Sequence, residues 1–372
     1  MGLHIGLNGA FVEHPATGSG QYLGQILSRL ADGYRGHRYQ LLLARPHPAY
    51  ASGRVCVPGW LPGKQPRKVF QEQVGVPLAA LSGRLDVVHY PYFAAPLVSP
   101  AKTVVTVHDV IPLVLPGYRG SPLVRVYMAL AATATRRAAA IICDSRHSQA
   151  DAIRTLKVPA ERTKVIYLAP DPGLRPVDAA TAAAVRRHYS LGERFFFYVG
   201  GLDRRKNLGV LLRAFAEVAA KHPEAQLAIA GQAAGTSALF PDWRGMAAAL
   251  GLGDQVRFLG HVSEGDKALL YGAALAFTFP SLYEGFGLPP LEALACGTPV
   301  LCADASSLPE VVGEAAILLP PADVRAWGEA LRRAWEDGEL RKELREKGLA
   351  QAAAFSWERT VRETVEVYEC VS

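Results

Sequence analysis

The chain has 372 residues, half of them apolar and one fifth charged. This composition excludes a disordered chain, and the length is more than one hydrophobic core usually serves. Five scattered cysteines, none spaced as C-x-x-C, argue against a disulfide framework or a zinc knuckle and favour a reducing compartment. The net charge of +6 is uneven, because residues 1–169 hold nineteen Lys and Arg against eight Asp and Glu. Such a basic half is typical of proteins that bind nucleic acid, an anionic membrane or a phosphate-bearing acceptor, and also of a plain solvated surface.

The first residues, MGLHIGLNGAF, have neither the charged start nor the long apolar centre of a signal peptide, so they predict a strand. No apolar run reaches the ~18–20 residues that a membrane-spanning helix needs. We therefore expect a cytoplasmic protein.

Short β-rich runs alternate with Ala- and Leu-rich helical stretches along the chain. Near-continuous apolar runs separated by helices predict parallel sheets covered on both faces. Six runs in each half predict an α/β protein of two doubly wound, Rossmann-like domains, 1–170 and 191–355. The stretch 171–190 predicts a linker because prolines interrupt its periodicity, and apolar spacings of four, four and three predict an amphipathic helix over about 356–372. The predicted strands are LHIGLNG, YQLLLA, DVVHY, KTVVTVHD, AAIICDS, KVIYLA, FFFYVGG, AQLAIAG, QVRFLGH, ALAFTFP, PVLCAD and AAILLP.

A glycine-rich segment, residues 18–22, follows the first predicted strand. Gly18, Gly20 and Gly24 form G-x-G-x-x-x-G, which is close to a dinucleotide fingerprint. That fingerprint begins almost directly after its strand, whereas about eight residues intervene here, and Arg45 stands where an acidic residue is expected. The pattern therefore disfavours NAD(P) binding.

His108 and Asp109 end the predicted strand KTVVTVHD. Ligands of doubly wound sheets bind beyond the carboxyl ends of strands, so both are candidate site residues, although a strand-end histidine is also a common structural feature. Ser145 and Ser148 begin a predicted helix, and helix capping is the favoured interpretation for both.

A basic run follows the strand FFFYVGG and consists of Arg204, Arg205 and Lys206 at a predicted helix start. Cations oppose the dipole at a helix N-terminus, so three together predict a bound anion. Arginine offers a planar fork and lysine a point charge, a pairing suited to phosphates. The alternative is a solvated basic turn. His261, after the strand QVRFLGH, is a candidate neighbour of a nucleobase or a structural histidine.

Two glutamates flank a predicted helix start in SLYEGFGLPPLEALACGTPV. Glu284 lies in the loop, and Glu292 is expected in the first turn of a helix that begins at Pro289 and Pro290. The amides there, helped by the dipole, can hold a phosphate. Because carboxylates accept strong hydrogen bonds from sugar hydroxyls, the pattern predicts hydroxyl-bearing groups on either side of a diphosphate. The alternative is a solvated Glu284 and a Glu292 that stabilises the helix start.

Together with VGGLDRRKN and VTVHDVIPL, these motifs closely resemble retaining glycosyltransferases of family 4, the group 1 family, from about residue 3 to residue 370. The resemblance implies the GT-B fold, with two Rossmann-like lobes and a cleft between them. It implies that the C-terminal lobe holds a nucleotide-sugar donor, that the N-terminal lobe holds the acceptor, and that the last helix packs on the first lobe.

The resemblance implies that residues 18–22 form a glycine loop whose amides approach the donor phosphate and the acceptor. It also implies roles for single residues. Glu284 would bind donor-sugar hydroxyls, while Arg205 and Lys206 would neutralise the diphosphate. Arg204 and Arg205 compete for one basic position of the family pattern, and Arg205 is favoured. The implied catalytic residues are His108, Arg205, Lys206 and Glu284, and the implied donor-binding residues are Gly18, Gly20, His261, Phe286, Gly287, Leu288 and Glu292, the last on the ribose diol.

Glycosyl transfer develops negative charge on the departing diphosphate and therefore needs electrostatic support more than a strong base. No D-x-D metal motif is present, so we expect metal-independent transfer with retention and without a cofactor. The alternatives are a nucleotide-sugar epimerase, a phosphorylase and a non-catalytic sugar- or nucleotide-binding module. The motif wording most resembles bacterial mannosyltransferases of cell-surface polysaccharide assembly, which favours GDP-mannose over UDP-glucose or UDP-N-acetylglucosamine. The expected acceptor is a glycan or lipid-linked molecule, with peripheral contact to an anionic inner membrane face and no nucleic acid.

Overall fold

The computed structural model describes residues 2–15, 17–30, 33–232 and 235–372. The chain divides into two compact units, which are described separately. The first contains Met1–Leu168 and Trp357–Ser372, and the second contains Ala169–Ser356. No helix among the described residues is long and apolar enough to cross a membrane.

The first unit is built on a parallel sheet of seven strands in the order β3-β2-β1-β4-β5-β6-β7. The chain builds outward from β1 on one side and from β4 on the other, so the strand order reverses between these two neighbours. Six of the strands were predicted, and the short β3 was missed because two residues carry no periodicity. The strands are β1 (His4–Asn8), β2 (Arg38–Leu43), β3 (Arg54–Val55), β4 (Val87–Tyr90), β5 (Lys102–Val107), β6 (Ala140–Cys143) and β7 (Thr163–Val165).

Helices cover the sheet of the first unit, and α15 at the end of the chain belongs to this unit. The apolar stripe of α15 is buried, and the Tyr368 hydroxyl lies 2.6 Å from His89 Nδ1 beneath it. Thr360 of α15 also donates to the Tyr167 carbonyl at 2.6 Å. The helices are α1 (Gly18–Leu30), α2 (Lys64–Phe70), α3 (Val76–Gly83), α4 (Ile111–Val114), α5 (Pro122–Arg137), α6 (Arg146–Asp151) and α15 (Trp357–Val371).

The interpretation of Gly18 and Gly20 as loop residues is wrong, because both lie in the first turn of α1. The Thr17 hydroxyl accepts a hydrogen bond from the Gly20 amide at 3.2 Å and so starts the helix early. A Cβ on Gly20 would lie 2.0 Å from the His14 carbonyl oxygen, so the preceding loop requires glycine there.

The second unit has a parallel sheet of six strands in the order β10-β9-β8-β11-β12-β13. All six were predicted from their apolar runs, and the strand order reverses between β8 and β11. With these two sheets, the α/β class and the two doubly wound domains are confirmed. The strands are β8 (Phe195–Val199), β9 (Gln226–Ala230), β10 (Val256–Gly260), β11 (Ala276–Phe279), β12 (Val300–Ala303) and β13 (Ala316–Leu319).

Part of the stretch predicted as a linker, 171–190, is helical, since α7 (Ala179–His188) lies within it. This helix belongs to the second unit and packs against α10 (Glu264–Ala273). Asp178 caps α7 by accepting from the Thr181 amide at 2.7 Å. The helices are α7 (Ala179–His188), α8 (Leu208–Lys221), α9 (Trp243–Ala249), α10 (Glu264–Ala273), α11 (Leu288–Ala295), α12 (Leu308–Val312), α13 (Val324–Glu336) and α14 (Gly338–Ala353).

Candidate active site

The loops after β8 and β11 meet at the point where the strand order of the second sheet reverses. The two strands pair in parallel, with Ala276 opposite Phe196 and Phe277 opposite Phe197. Both loops therefore leave the same edge of the sheet from adjacent strands. Open α/β sheets bind ligands beyond the carboxyl ends of their strands at such a switch point.

The loop after β8 is a single 3-10 turn, Arg204–Lys206. Asp203 caps the turn by accepting from the Arg205 amide at 3.2 Å. Asn207 closes it in the left-handed region, at φ 57°, and donates to two carbonyls. Arg204 is exposed, whereas Lys206 is buried and Arg205 is largely so. Of the two competing arginines, Arg205 is thus the one turned inward.

Three side chains converge on one carboxylate oxygen, Glu284 Oε1. Arg205 Nη1 donates to it at 2.8 Å, Lys206 Nζ at 2.6 Å and the Ser281 hydroxyl at 2.5 Å. Arg205 Nη1 also donates to the Tyr283 carbonyl at 2.6 Å. The basic turn and the glutamate, which are 78 residues or more apart in the sequence, form one ion-pair cluster.

Burial and the neighbouring charges shift the pKa values of this cluster in opposite directions. Burial alone would raise the pKa of Glu284, but Lys206 and Arg205 lower it below its ordinary value. Burial lowers the pKa of Lys206, and Glu284 offsets part of that effect. The Lys206 ammonium also lies 4.8 Å from the centre of the Phe279 ring. The carboxylate therefore stays ionised, and it is the anion that the two cations hold in this structure.

The loop that carries Glu284 is fixed by serines that follow β12. Ser306 accepts from the Glu284 amide at 2.9 Å, and Ser307 donates to the Phe286 carbonyl at 2.6 Å. Gly287 then has φ 121°, a conformation that favours glycine. Sequence reasoning missed Ser306 and Ser307, because nothing in the spacing ties the segment after β12 to the loop after β11, and it did not single out Ser281 within the motif that contains Glu284.

Helix α11 begins at Leu288, one residue before the predicted start. Its next two residues are prolines without N–H groups, so Leu288 carries the only amide hydrogen among the first three helical residues. The prediction that Glu292 lies in the first turn is wrong, because Glu292 is the fifth residue and is buried.

Glu292 is held by two side chains of α10. Lys267 Nζ lies 3.1 Å from Glu292 Oε2, and the Tyr271 hydroxyl donates to the same oxygen at 3.0 Å. Burial raises the pKa of Glu292, although Lys267 opposes that rise. Lys267 and Tyr271 are one helical turn apart, but no sequence signal linked them to Glu292. His261 is exposed at the end of β10, two strands away from β8.

His108 follows β5 in the first unit and has an oxygen acceptor at each ring nitrogen. Nδ1 lies 2.6 Å from Asp144 Oδ2, and Nε2 lies 3.2 Å from the Pro91 carbonyl oxygen. Only the protonated ring donates from both nitrogens. Burial alone would lower the pKa of His108, but the Asp144 carboxylate outweighs burial and raises it. Sequence reasoning missed Asp144 as the partner of His108. Tyr22 of α1 packs edge-on against the ring, with centroids 5.1 Å apart.

The polar residues around His108 have local structural roles. Asp109 accepts from the Ile111 amide at 2.9 Å at the start of α4. Ser145 caps α6, as predicted, by accepting from the Ser148 amide. Ser148 instead donates to the His108 carbonyl at 3.0 Å, so its interpretation as a cap is wrong.

The described residues contain no group of three or more His, Cys, Asp or Glu side chains placed to bind a metal ion. Chemically, the cluster in the second unit offers an arginine fork, a lysine and a helix start to a polyanion. Glu284 beside them is largely buried and can accept hydrogen bonds from hydroxyl groups.

Models of known protein families match both halves of the chain. Residues 185–351 match the family model described as Glycosyl transferases group 1, and residues 16–173 match Glycosyltransferase Family 4. O-antigen chain mannosyltransferase B of Escherichia coli is 33% identical over 273 residues, which cover 72% of this chain and 70% of that protein. The serotype-specific mannosyltransferase WbdA of Escherichia coli is 31% identical over 271 residues, which cover 72% of this chain but only 33% of WbdA.

Similar solved structures are more distant in sequence. Sucrose-phosphate synthase of Thermosynechococcus elongatus has a TM-score of 0.76 at 22% identity, with 99% of both chains covered. HepE of Anabaena in complex with UDP-glucose has a TM-score of 0.75 at 20% identity, covering 99% of this chain and 100% of HepE. At these identities the likeness establishes the fold alone.

Proposed function

Because the chain belongs to the group 1 glycosyltransferases, we propose that it transfers a mannosyl group from GDP-mannose to a glycan or lipid-linked acceptor in cell-surface polysaccharide synthesis. The family and the GT-B fold indicated by the motifs are confirmed. The protein is therefore a glycosyltransferase, which removes the epimerase, phosphorylase and binding-module alternatives. Transfer with retention, without a metal ion or cofactor, is part of the proposal.

The observation that carries the proposal is the convergence of Arg205, Lys206 and Glu284 at the switch point. A diphosphate entering beside the start of α11 meets two cations and the Leu288 amide. Such preorganised donors stabilise the charge that develops on a leaving diphosphate without reorganisation. Two fixed cations at this place can do the work that other transferases assign to a divalent ion.

The ion pairs of Glu284 suggest how donor binding proceeds. When a diphosphate attracts Arg205 and Lys206, the carboxylate loses part of its charge compensation. Hydroxyl groups of the donor sugar can then donate to Glu284, which accepts them strongly because it stays ionised. Binding of the diphosphate would thus prepare the carboxylate for the sugar.

The other site residues have proposed roles of their own. Glu292, held by Lys267 and Tyr271, is the proposed partner of the ribose diol. Phe286 and Gly287 are the proposed backbone contacts of the donor, and His108 is the proposed contact of the donor sugar.

Mannose is the proposed sugar because the O-antigen chain mannosyltransferase B of Escherichia coli is similar over 70% of its length. UDP-glucose and UDP-N-acetylglucosamine are the alternative donors, and they are kept because HepE binds UDP-glucose.

The deciding experiment is a thermal-shift series with GDP, UDP and their nucleotide sugars in EDTA. A ligand at 100 times its Kd stabilises by about 2.7 kcal/mol. A shift with GDP and GDP-mannose alone supports the proposal, whereas a shift with UDP ligands alone moves the donor to UDP. If glycosyl transfer strictly requires Mg²⁺, the metal-independent mechanism is wrong.

The first unit also carries a surface suited to an anionic membrane, in line with the proposed location at the inner membrane face. Leu123, Val126 and Leu130 of α5 are 83%, 60% and 47% exposed and lie on one side of the helix. Residues 110–143, which contain α5, have four arginines and no Asp or Glu. An exposed apolar stripe among cations is typical of helices that lie on anionic lipid.

This surface is tested by sedimentation with phosphatidylglycerol vesicles at low salt. We expect the double variant L123S/V126S to lose most binding. The control L78S/L81S removes two exposed leucines of α3, 58% and 64% exposed, and should still bind. Equal binding by the two double variants would reject α5 as the docking surface.

A further inference from the structure

A cavity of about 240 Å³ opens in the first unit at the carboxyl ends of β1 and β2. Its wall is formed by residues 9–14 after β1, by residues 43–45 at the end of β2, and by the helical stretch that begins at Lys64. This is the edge of a doubly wound sheet where ligands bind. Pockets for drug-sized ligands are larger, roughly 300–1,000 Å³, so this cavity suits one small group of a larger molecule.

Cations dominate the lining of this cavity. Arg45, Lys64, Arg67 and Lys68 contribute side chains, against the single carboxylate of Glu13, which is exposed. Within the described part of the chain, none of the first three forms an ion pair, and Lys68 meets only Glu72, at 3.8 Å. Unpaired cations around a concave surface concentrate a positive potential there.

Arg67 forms the buried back of the cavity. Its guanidinium donates to the Ala44 carbonyl at 2.7 Å and to the Leu61 carbonyl at 2.8 Å, which ties two loops together. The residue is only 8% exposed, and its Nε–H has no acceptor among the described residues. The positive charge of Arg67 is balanced only by the dipoles of backbone carbonyls, because no carboxylate among the described residues pairs with it, and it therefore adds to the positive potential of the cavity.

Lys68 is held in place by aromatic rings. Its ammonium lies 5.2–5.9 Å from the ring centres of Phe11, Tyr92 and Tyr127. The counter-ion Glu72 is fully buried and accepts hydrogen bonds from the hydroxyls of the same two tyrosines, at 2.7 and 2.8 Å. Burial raises the pKa of Glu72 above its ordinary value, although Lys68 and the two tyrosine hydroxyls oppose that rise. Glu72 sits in a π-helical turn, residues 71–75, a feature common at functional sites.

Building on the proposed function, we propose that this cavity binds the phosphate group of the acceptor, so that the enzyme acts on phosphate or diphosphate esters. Arginine forks and lysine point charges are the side chains that match phosphate oxygens. The small volume and the recessed Arg67 fit one such group and leave the rest of the acceptor outside. A lipid diphosphate and a free sugar phosphate share this chemistry.

The test compares two double variants of the 372-residue chain, which remove the same charge from opposite edges of one sheet. R45A/K64A changes two exposed cations at the cavity, whereas R38A/K102A changes two exposed cations at the amino ends of β2 and β5. Inorganic pyrophosphate is titrated calorimetrically into protein saturated with a nucleoside diphosphate, which fills the donor site. We expect the Kd of pyrophosphate to rise roughly tenfold in R45A/K64A, because two charge-assisted contacts are lost, and to change less than twofold in R38A/K102A.

Competition experiments then separate the two sources of phosphate. Displacement of pyrophosphate by farnesyl diphosphate, but not by glucose 1-phosphate, supports a lipid-linked acceptor, and the reverse supports a free sugar phosphate. Equal pyrophosphate affinity in the two double variants would overturn the proposal. Failure of the wild type to bind any nucleoside diphosphate would instead reject the proposed function, and the comparison of the two variants would still decide the cavity.

Discussion

Replacing Lys206 by alanine removes one of the two cations that would face the leaving diphosphate. Lys206 is 7% exposed, and its Nζ lies 2.6 Å from Glu284 Oε1. Arg205 stays 2.8 Å from the same oxygen, so Glu284 keeps a counter-ion and the loop should keep its structure. Removal of one preorganised donor costs about 2.7–4 kcal/mol in the transition state, which corresponds to a loss of ~10²–10³ in kcat.

The assay measures release of nucleoside diphosphate from the donor in the presence of acceptor, at saturating concentrations of both. The matched control is Arg204→Ala, which removes the same charge from the exposed neighbour in the same turn. We expect this control to retain at least a third of wild-type kcat. A K206A enzyme within threefold of wild type would refute the electrostatic reasoning. An equal loss in both variants would show that the local field, and not the contact, is what matters.

Three further predictions concern contacts that lie within one unit or the other. Glu292→Gln should weaken nucleoside diphosphate binding roughly tenfold, by loss of a charge-assisted hydrogen bond, with a smaller effect on kcat; unchanged calorimetric affinity would exclude the ribose role. The pKa of folded His108 is raised, so the stability from its pair with Asp144 is fully present below the ordinary histidine pKa and is lost as pH rises through the raised value. The melting temperature should therefore fall above about pH 6.5 in the wild type and less steeply in Asp144→Asn, and identical pH profiles would contradict the pair. Gly231→Ala should lower the free energy of unfolding by about 1–3 kcal/mol, because its Cβ would lie 2.1 Å from the Gly200 carbonyl oxygen; the control Gly265→Ala in α10, where the added Cβ would only make an ordinary 3.9 Å contact with the Ser263 hydroxyl oxygen, should not destabilise in urea titrations.

Much of the second unit follows from local patterns. Phe195–Val199 and Ala276–Phe279 read as buried strands because a parallel strand covered on both faces needs apolar residues throughout. The candidate loops after them were also visible, since glycine turns and proline-started helices leave local signatures. Element boundaries were predicted wrongly where two local signals disagreed. At α1 the glycines favoured a loop, whereas Thr17 caps a helix that already begins at Gly18.

The chain order of apolar runs and turn residues determined by itself that this protein is an α/β protein of two parallel sheets, because those signals lie within a few consecutive residues. Only the tertiary structure decided which strands became neighbours, and hence that Arg205 and Lys206 would meet Glu284. It alone paired Glu292 with Lys267 and His108 with Asp144, and it placed four cations around one cavity. The reason is physical. The residues of a strand determine whether that strand is buried, whereas ion pairs and cavities form only when strand pairing brings together residues that are far apart in the sequence.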